Sequence, residues 1–163
     1  MKIYGVAGWK NSGKTGLMER LVAEFCVRGF SVSTIKHTHH GVDLDDPGTD
    51  SFRHRQAGAE EVILASGARV TLMQELRDAP EPSLEELMAR LSPVDLVLIE
   101  GYKTAAHPKV EAHRAQTGKP LLAPENSSIR AVASDASPDL PCPVFDLDDT
   151  QAIADFIQEE LQL

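Results

Sequence analysis

A glycine-rich segment near the start of the sequence has the residue types and spacing of a phosphate-binding loop. Residues 8–15 read Gly-Trp-Lys-Asn-Ser-Gly-Lys-Thr, which matches the pattern G-x-x-x-x-G-K-[ST]. An apolar stretch at 3–7 that is too short for a helix precedes it, and apolar residues at helical spacing follow it. In that setting the pattern predicts a Walker A loop. The alternative is a glycine-rich turn that only caps a core helix.

Each residue type in this loop has a task in binding a chain of phosphates. The backbone N–H groups of residues 11–15 would converge on the β-phosphate, aided by the positive end of the helix that begins there. Lys14 would bridge the β- and γ-phosphates and is a catalytic candidate, and the Thr15 hydroxyl is a predicted Mg²⁺ ligand. The predicted cofactor-binding residues of the loop are Gly8, Asn11, Ser12, Gly13, Lys14 and Thr15.

An acidic residue stands at the end of a second apolar stretch, where P-loop proteins usually place one. Residues 94–101 read VDLVLIEG, so Glu100 and Gly101 follow a nearly continuous apolar run. Ligands bind beyond the carboxyl ends of parallel strands, which favours Glu100 over Asp95 at the other end. Glu100 is therefore predicted as a catalytic residue and as a second metal ligand, with Gly101 beside the cofactor.

Three histidines crowd the end of another predicted strand, in Lys-His-Thr-His-His at 36–40. His37 and His39 would share one face of an extended chain. Because this segment emerges beside the glycine-rich loop, we expect His37, His39 and His40 to serve a nucleotide, a substrate anion or a conformational switch. The alternatives are a zinc site, which would need a fourth ligand from elsewhere, and ordinary surface histidines.

An acidic loop follows the histidines and carries four aspartates, Asp43, Asp45, Asp46 and Asp50. These carboxylates could meet a magnesium ion through water, or Asp50 could cap the next helix. A plain solvated loop is the third interpretation. The pattern leaves all three open.

The order of apolar segments predicts the elements that position these residues. Strands are predicted at 3–7, 31–36, 61–65, 69–74, 94–99, 109–114, 129–133 and 144–147, and helices at 17–25, 50–57, 84–91 and 153–161. Ser83 and Glu86 resemble a capping box at the start of the third helix. The alternation predicts an α/β fold that is P-loop NTPase-like, with an open, mostly parallel sheet and helices on both faces. A chain of 163 residues is expected to form one domain over 1–163.

The composition excludes several classes of partner. With 16 Lys+Arg against 25 Asp+Glu, the net charge of −9 argues against binding to nucleic acid, which needs clustered positive charge. No apolar run approaches the roughly 18 residues of a membrane span, so no membrane partner is expected. Cys26 and Cys142 lack metal-binding spacing and are interpreted as reduced thiols, which favours a cytoplasmic location.

Five landmarks together resemble the molybdopterin-guanine dinucleotide biosynthesis adapter family, MobB. They are the Walker A loop, IKHTHH, the acidic DxDxPGxDS loop, IEGYK and AVASD, and they run from residue 8 to residue 135. KHTHH joined to PGxDS is the specific part of the resemblance. It implies a small homodimeric P-loop protein that binds GTP and Mg²⁺, hydrolyses GTP weakly, and assists the guanylyltransferase that attaches GMP to molybdopterin. Molybdopterin itself is a further candidate partner.

The resemblance also implies site residues by position. Gly13, Lys14 and Thr15 match its phosphate site, and Asp45 and Glu100 match its metal side. His37, His39 and His40 match its signature segment.

A preference for GTP would need a substitute for the missing NKxD guanine motif. Asp135 follows the predicted strand at 129–133, and a carboxylate there can accept from both N1–H and N2–H of guanine, which adenine cannot reproduce. Asp135 as a plain turn residue is the alternative.

A P-loop kinase that phosphorylates a small metabolite is the competing class, because a Walker A loop alone does not separate kinases from GTPases. A kinase normally needs an arginine-rich lid, and only Arg53 and Arg55 lie close together in this sequence. A structural module that binds no nucleotide is a third class, which the loop disfavours.

Overall fold

The computed structural model describes residues 1–38, 41 and 43–163. In chain order its elements are β1 (Lys2–Ala7), α1 (Lys14–Val27), β2 (Val32–Lys36), α2 (Asp50–Gln56), β3 (Glu61–Ala65), β4 (Val70–Gln74), α3 (Leu84–Ala89), β5 (Leu96–Glu100), β6 (Lys109–His113), β7 (Ile129–Ser134), β8 (Val144–Asp146) and α4 (Thr150–Leu161). Short 3₁₀ turns lie at Ala115–Thr117 and Ala123–Glu125. The chain divides into two compact units, Met1–Thr38 with Leu91–Leu163, and His39–Arg90. That both belong to one domain stays a prediction.

One parallel sheet organises the larger unit. Its strands lie in the order β2-β5-β1-β6-β7-β8, and every neighbouring pair is parallel. In β1, Ile3 is paired with Val97 of β5 and Gly5 with Lys109 of β6. The chain leaves β1 toward one edge of the sheet and leaves β6 toward the other, so the carboxyl ends of these two neighbours bound a crevice of the kind that binds ligands. The predicted mostly parallel, P-loop NTPase-like α/β fold is confirmed.

The two α-helices of this unit pack into one apolar cluster on one side of the sheet. Leu17, Leu21 and Phe25 recur every four residues along α1 and are fully buried. In α4, Ile153 and Ile157 are also fully buried in this cluster. Burying a side chain of this size contributes about 1.5–3 kcal/mol. The packing therefore fixes α1, and with it the loop that precedes the helix, at the edge of the sheet.

Connecting segments cover the opposite side of the sheet. Two charged residues of β6, Lys109 and Glu111, point to this side and are fully buried. Lys109 Nζ donates to two backbone carbonyls, at 2.6 and 2.7 Å, and to Ser128 Oγ at 2.7 Å. The Glu111 carboxylate accepts from the backbone N–H groups of residues 122 and 123, at 2.9 Å. Helices were expected on both faces of the sheet. Among the described residues of this unit, a 3₁₀ turn and its flanking loops cover Glu111 on the face opposite α1 and α4.

The smaller unit contains a separate two-stranded sheet. β3 and β4 pair antiparallel, with Ile63 opposite Leu72 and Ala65 opposite Val70. Both strands were expected, but as members of a mostly parallel sheet. The connection at 66–69 is too short for a parallel crossover, which takes a dozen or more residues, so these strands can only form a hairpin.

Helix caps define the two helices of the smaller unit. The Thr49 hydroxyl accepts from Phe52 N at 3.3 Å at the start of α2. At the start of α3, Ser83 Oγ accepts from Glu86 N and the Glu86 carboxylate accepts from Ser83 N, which confirms the predicted capping box. Such caps typically contribute about 1 kcal/mol each.

The helices of the described residues are all too short or too polar to cross a lipid bilayer.

Candidate functional site

The loop between β1 and α1 has a backbone shape that its glycines and Asn11 make possible. Gly8, Asn11 and Gly13 have positive φ values of 141°, 65° and 96°. A Cβ on Gly8 would lie 2.4 Å from the carbonyl oxygen of Ala112 in β6 and 2.5 Å from Ser12 Oγ. The loop can therefore approach the neighbouring strand only because residue 8 has no side chain.

Helix α1 begins directly at Lys14, after Gly13, and its 14 residues end at Val27. Within the described residues no side chain caps its N-terminus, and its first turn contains no acidic residue. The backbone N–H groups there are the usual donors to a bound phosphate, and the helix dipole favours a negative charge at this end. Asn11, Ser12, Gly13, Lys14 and Thr15 all line one cavity of about 360 Å³ at this terminus.

Ser12 lies within this loop and is almost fully buried. Its backbone N–H donates to the Trp9 carbonyl at 3.2 Å. Its hydroxyl has no hydrogen-bond partner among the described residues. A buried, unused hydroxyl next to a phosphate loop is a ready donor to an anion.

Lys14 lies among positive groups. Its ammonium donates to the Trp9 carbonyl at 2.6 Å. Burial lowers the pKa of Lys14, and the charges of Lys103 and Lys36 lower this pKa further, while Glu100 opposes them. Three lysines and one carboxylate thus meet at this edge, which gives the site a local positive charge in a chain whose net charge is −9. Such a field attracts anions.

Glu100 is the last residue of β5 and lies beside the loop. Its side chain is about 10% exposed, and Oε1 lies 3.4 Å from Thr15 Oγ1 and 3.5 Å from Lys36 Nζ. The three residues come together because β1, β2 and β5 are neighbouring parallel strands with their carboxyl ends at one edge. A hydroxyl and a carboxylate are the hard oxygen ligands that Mg²⁺ prefers, so the pair fits the predicted metal role, which stays a prediction.

Gly101 and His37 continue this edge. Gly101 has a φ of 101°, and a Cβ on it would lie 3.2 Å from both the Cβ and the carbonyl oxygen of His37. His37 N donates to the Glu100 carbonyl at 2.9 Å, and the His37 and Tyr102 rings lie 4.6 Å apart between centroids. His37 is therefore placed next to Glu100. His39 and His40 lie outside the described residues.

Asp45, the third predicted metal ligand, belongs to the smaller unit. Its Oδ1 accepts from the Thr49 and Ser51 hydroxyls at 2.8 and 2.9 Å, and Oδ2 from Arg55 Nε at 3.4 Å. Desolvation alone would raise the pKa of Asp45, but the hydrogen bonds from Thr49, Ser51 and Arg55 outweigh it and lower the pKa. Asp45 is held as a carboxylate that fixes the acidic loop to α2, and its metal role stays a prediction.

Asp135 stands immediately after β7, as the sequence predicts. Its Oδ1 accepts from the backbone N–H of Ala115 at 2.8 Å, which ties the end of β7 to the turn after β6. Asp135 is thereby placed at the carboxyl edge of the sheet. Its role toward guanine stays a prediction.

Three cations at this edge were not predicted: Lys36, Lys103 and Arg114. Lys36 ends β2, Lys103 follows β5 closely and Arg114 directly follows β6. Arg114 lines the same cavity as the loop, with its Nε 3.2 Å from where a Cβ on Gly13 would lie. Their shared signal is position at the carboxyl ends of parallel strands. The three residues are far apart in the sequence, so their spacing does not indicate that the sheet brings them together.

Lys103 and Trp9 connect the loop to two other segments. Lys103 Nζ lies 4.0 Å from the centroid of the Trp9 ring, a cation–π distance. Trp9 Nε1 donates to the Pro120 carbonyl at 2.8 Å. The side chain of Trp9 is therefore held from both sides.

Comparison with known proteins places the chain in a family. The family model described as "Molybdopterin guanine dinucleotide synthesis protein B" (MobB) matches residues 3–135. The molybdopterin-guanine dinucleotide biosynthesis adapter proteins of Escherichia coli (strain K12) and Haemophilus influenzae are each 39% identical to the chain over 98% of its length, which covers 93% and 89% of those proteins.

A solved structure agrees with the sequence relatives. The crystal structure of a MobB homologue from Bacillus stearothermophilus superposes with a TM-score of 0.72 at 29% identity, covering 99% of each chain. The similarity extends over both compact units. The chain therefore belongs to the MobB family of molybdopterin-guanine dinucleotide biosynthesis adapter proteins.

Proposed function

We propose that the chain is a GTP-binding adapter in molybdopterin-guanine dinucleotide biosynthesis that assists the guanylyltransferase of that pathway. The observation that carries the proposal is the phosphate loop at the start of α1, with Thr15 and Glu100 facing each other at 3.4 Å. The names of the relatives give the biosynthetic context.

In this proposal the loop residues hold the phosphates. Backbone N–H groups of residues 11–15 donate to phosphate oxygens, and Gly8 and Gly13 permit the backbone conformation. Lys14 contacts the β- and γ-phosphates. Mg²⁺ held by Thr15 and Glu100 would neutralise charge on the phosphate oxygens.

Recognition of the base is assigned to Asp135. Its position at the carboxyl end of β7, and its hydrogen bond to the turn after β6, support a place near the nucleoside. A carboxylate accepts two hydrogen bonds from the N1–H and N2–H of guanine, while adenine offers no matching pair of donors. GTP is therefore preferred over ATP.

Hydrolysis of GTP by the isolated chain is proposed to be slow. Efficient hydrolysis needs a positioned water and a positive charge on the transition state, and an arginine finger supplies about 10³- to 10⁵-fold. Tyr102 and Lys103 follow Glu100 and Gly101, where a water-positioning glutamine would be expected. Acceleration then comes from a second subunit or from the guanylyltransferase.

The proposal includes a homodimer and a cytoplasmic location. Exposed apolar side chains on the β3–β4 hairpin support self-association. The free thiols Cys26 and Cys142 support a reducing compartment.

Calorimetry with magnesium and nucleotide tests the phosphate and base assignments. Wild-type protein should bind GTP more tightly than ATP, and Lys14→Ala should abolish binding of both while its melting temperature stays unchanged. Lys10→Ala is the matched control, because Lys10 is an exposed lysine of the same loop. Asp135→Asn should reduce the ratio of the affinity for GTP to the affinity for ATP. Unchanged affinity in Lys14→Ala would refute nucleotide binding at this loop.

Single-turnover assays with and without the guanylyltransferase test the adapter role. The isolated chain should hydrolyse GTP far more slowly than the typical enzyme median of about 10 per second. Rapid turnover by the isolated chain would contradict an adapter role. Acceleration on adding the guanylyltransferase, lost in Lys14→Ala, would support it.

A further inference from the structure

Arg114 is an arginine that lies next to the phosphate loop. It directly follows β6 and lines the cavity formed by residues 11–16 of the phosphate loop. Its Nε would lie 3.2 Å from a Cβ on Gly13, so the missing side chain of Gly13 leaves room for the guanidinium. The backbone is fixed as well, since the Arg114 carbonyl accepts from both the N–H and the hydroxyl of Thr117 at 3.0 and 2.9 Å.

The guanidinium of Arg114 has no carboxylate partner among the described residues. Six of the nine arginines of the chain do pair with a carboxylate: Arg20, Arg28, Arg53, Arg55, Arg77 and Arg130. Burying part of a charge in a cavity without a counter-ion is unfavourable unless the cavity receives an anion. The missing partner is therefore expected to be a ligand.

The topology of the sheet shows which part of a nucleotide would reach Arg114. Glu100 and Lys36 end strands on one side of β1, and Arg114 follows β6 on the other side. The metal-side pair Thr15 and Glu100 marks where the terminal phosphates belong. The other end of the nucleotide then extends across the crevice between β1 and β6, toward Arg114.

We propose that Arg114 is a second phosphate-binding cation, which contacts the phosphate next to the nucleoside. This assignment rests on the proposed nucleotide binding at the loop. The planar guanidinium can donate two parallel N–H bonds to phosphate oxygens, which the ammonium of a lysine cannot reproduce. Because the contact lies away from the terminal phosphate, it serves affinity for GTP and GDP alike and leaves the hydrolytic step unaffected.

Calorimetry with magnesium and either GTP or GDP tests the proposal on Arg114→Ala and Arg114→Lys. Arg114→Ala should weaken both nucleotides by a similar factor of about ten to a hundred, the usual range for a charge-assisted hydrogen bond. Arg114→Lys should recover only part of that loss. Arg69→Ala is the matched control, because Arg69 is an exposed arginine without an ion pair among the described residues, and it should keep wild-type affinity for both nucleotides.

Three results would overturn distinct statements. Wild-type affinity of Arg114→Ala and Arg114→Lys for both nucleotides, in chains with unchanged melting temperature, overturns the role of Arg114. A loss confined to GTP places the contact on the terminal phosphate and overturns the proposed position. Failure of the wild-type chain to bind nucleotide overturns the proposed function itself, a result distinguishable from the other two.

Discussion

His107 is a buried imidazole packed beside a buried lysine. Its side of the sheet also carries Lys109 and Glu111, and a Cβ on Gly5 would lie 2.7 Å from its Nε2. Neither ring nitrogen has a hydrogen-bond partner among the described residues. Burial lowers the pKa of His107 to about 4, and the charge of Lys109 adds to this effect. The folded chain therefore keeps the imidazole neutral.

Replacing His107 with leucine should make the fold less sensitive to acid. The unfolded imidazole titrates near 6.5, so between pH 6.5 and 4 the unfolded state binds more protons and the free energy of unfolding falls as the pH falls. From pH 7 to 4.5 the wild-type chain should lose about 2–3 kcal/mol more stability than His107→Leu. Urea unfolding at both pH values measures this difference.

The two buried charged residues of β6 do not disturb that comparison. Burial lowers the pKa of Lys109 to about 8, so this lysine stays charged throughout the acid range. Burial raises the pKa of Glu111, which stabilises the fold as the pH falls, but Glu111 is present in both chains. Equal losses in the two chains would show that His107 is not held neutral.

At the scale of elements, strand β1, its loop and helix α1 act together. The loop turns sharply against β6 because Gly8 has a φ of 141° and lies against the Ala112 carbonyl. A residue with a side chain would be strained by about 1–3 kcal/mol at this φ, and the clash of its Cβ with the Ala112 carbonyl would add to that cost.

The substitution Gly8→Ala should therefore damage both stability and the site. We expect a loss of about 2 kcal/mol or more in the free energy of unfolding, together with loss of nucleotide binding in calorimetry. Gly67→Ala is the matched control, because a Cβ on Gly67 meets nothing within 4 Å. Wild-type stability of Gly8→Ala would mean that the loop tolerates a side chain at this position.

The sequence predicts elements better than it predicts contacts between them. The strand at 61–65 has the predicted bounds, and β1 and β7 differ from theirs by one residue, because their apolar runs are short and clearly bounded. The strand bounds alone did not predict that β3 and β4 form a separate antiparallel hairpin, although the short connection between them already excludes a parallel crossover.

The part of the candidate site that lies in short, continuous segments of the sequence could be predicted. The Walker A pattern identifies Lys14 and Thr15, and the apolar run before Glu100 identifies its partner, which lies 3.4 Å from Thr15. Arg114 and Lys103 reach the same loop from distant positions in the chain. Their approach depends on strand order, which hydrophobic periodicity does not encode.

At the scale of the whole molecule, the hairpin of the smaller unit exposes an apolar face. Ile63 and Leu72 lie opposite each other, Val70 is on the same face, and their exposed fractions are 65%, 48% and 69%. Exposed apolar patches of this kind commonly mark protein interfaces. This face is consistent with the proposed homodimer.

Placing a charge on that face should separate the subunits. Ile63→Lys with Leu72→Lys should shift the sedimentation of the chain from dimer toward monomer, because a desolvated lysine is unfavourable in an apolar interface. Val27→Lys, at an 85% exposed position on α1, is the matched control. An unchanged dimer in the double variant would show that another surface holds the subunits together.

The position of Trp9 makes the chain its own optical probe. It is the only tryptophan in the sequence, and it lies in the phosphate loop with a lysine ammonium over its ring and its indole N–H on the Pro120 carbonyl. Indole emission depends on the charge and polarity next to the ring. A change in the wavelength or intensity of that emission therefore reports on the surroundings of the phosphate loop without any attached dye. Movement of Lys103 or of the Pro120 segment away from the indole would produce such a change.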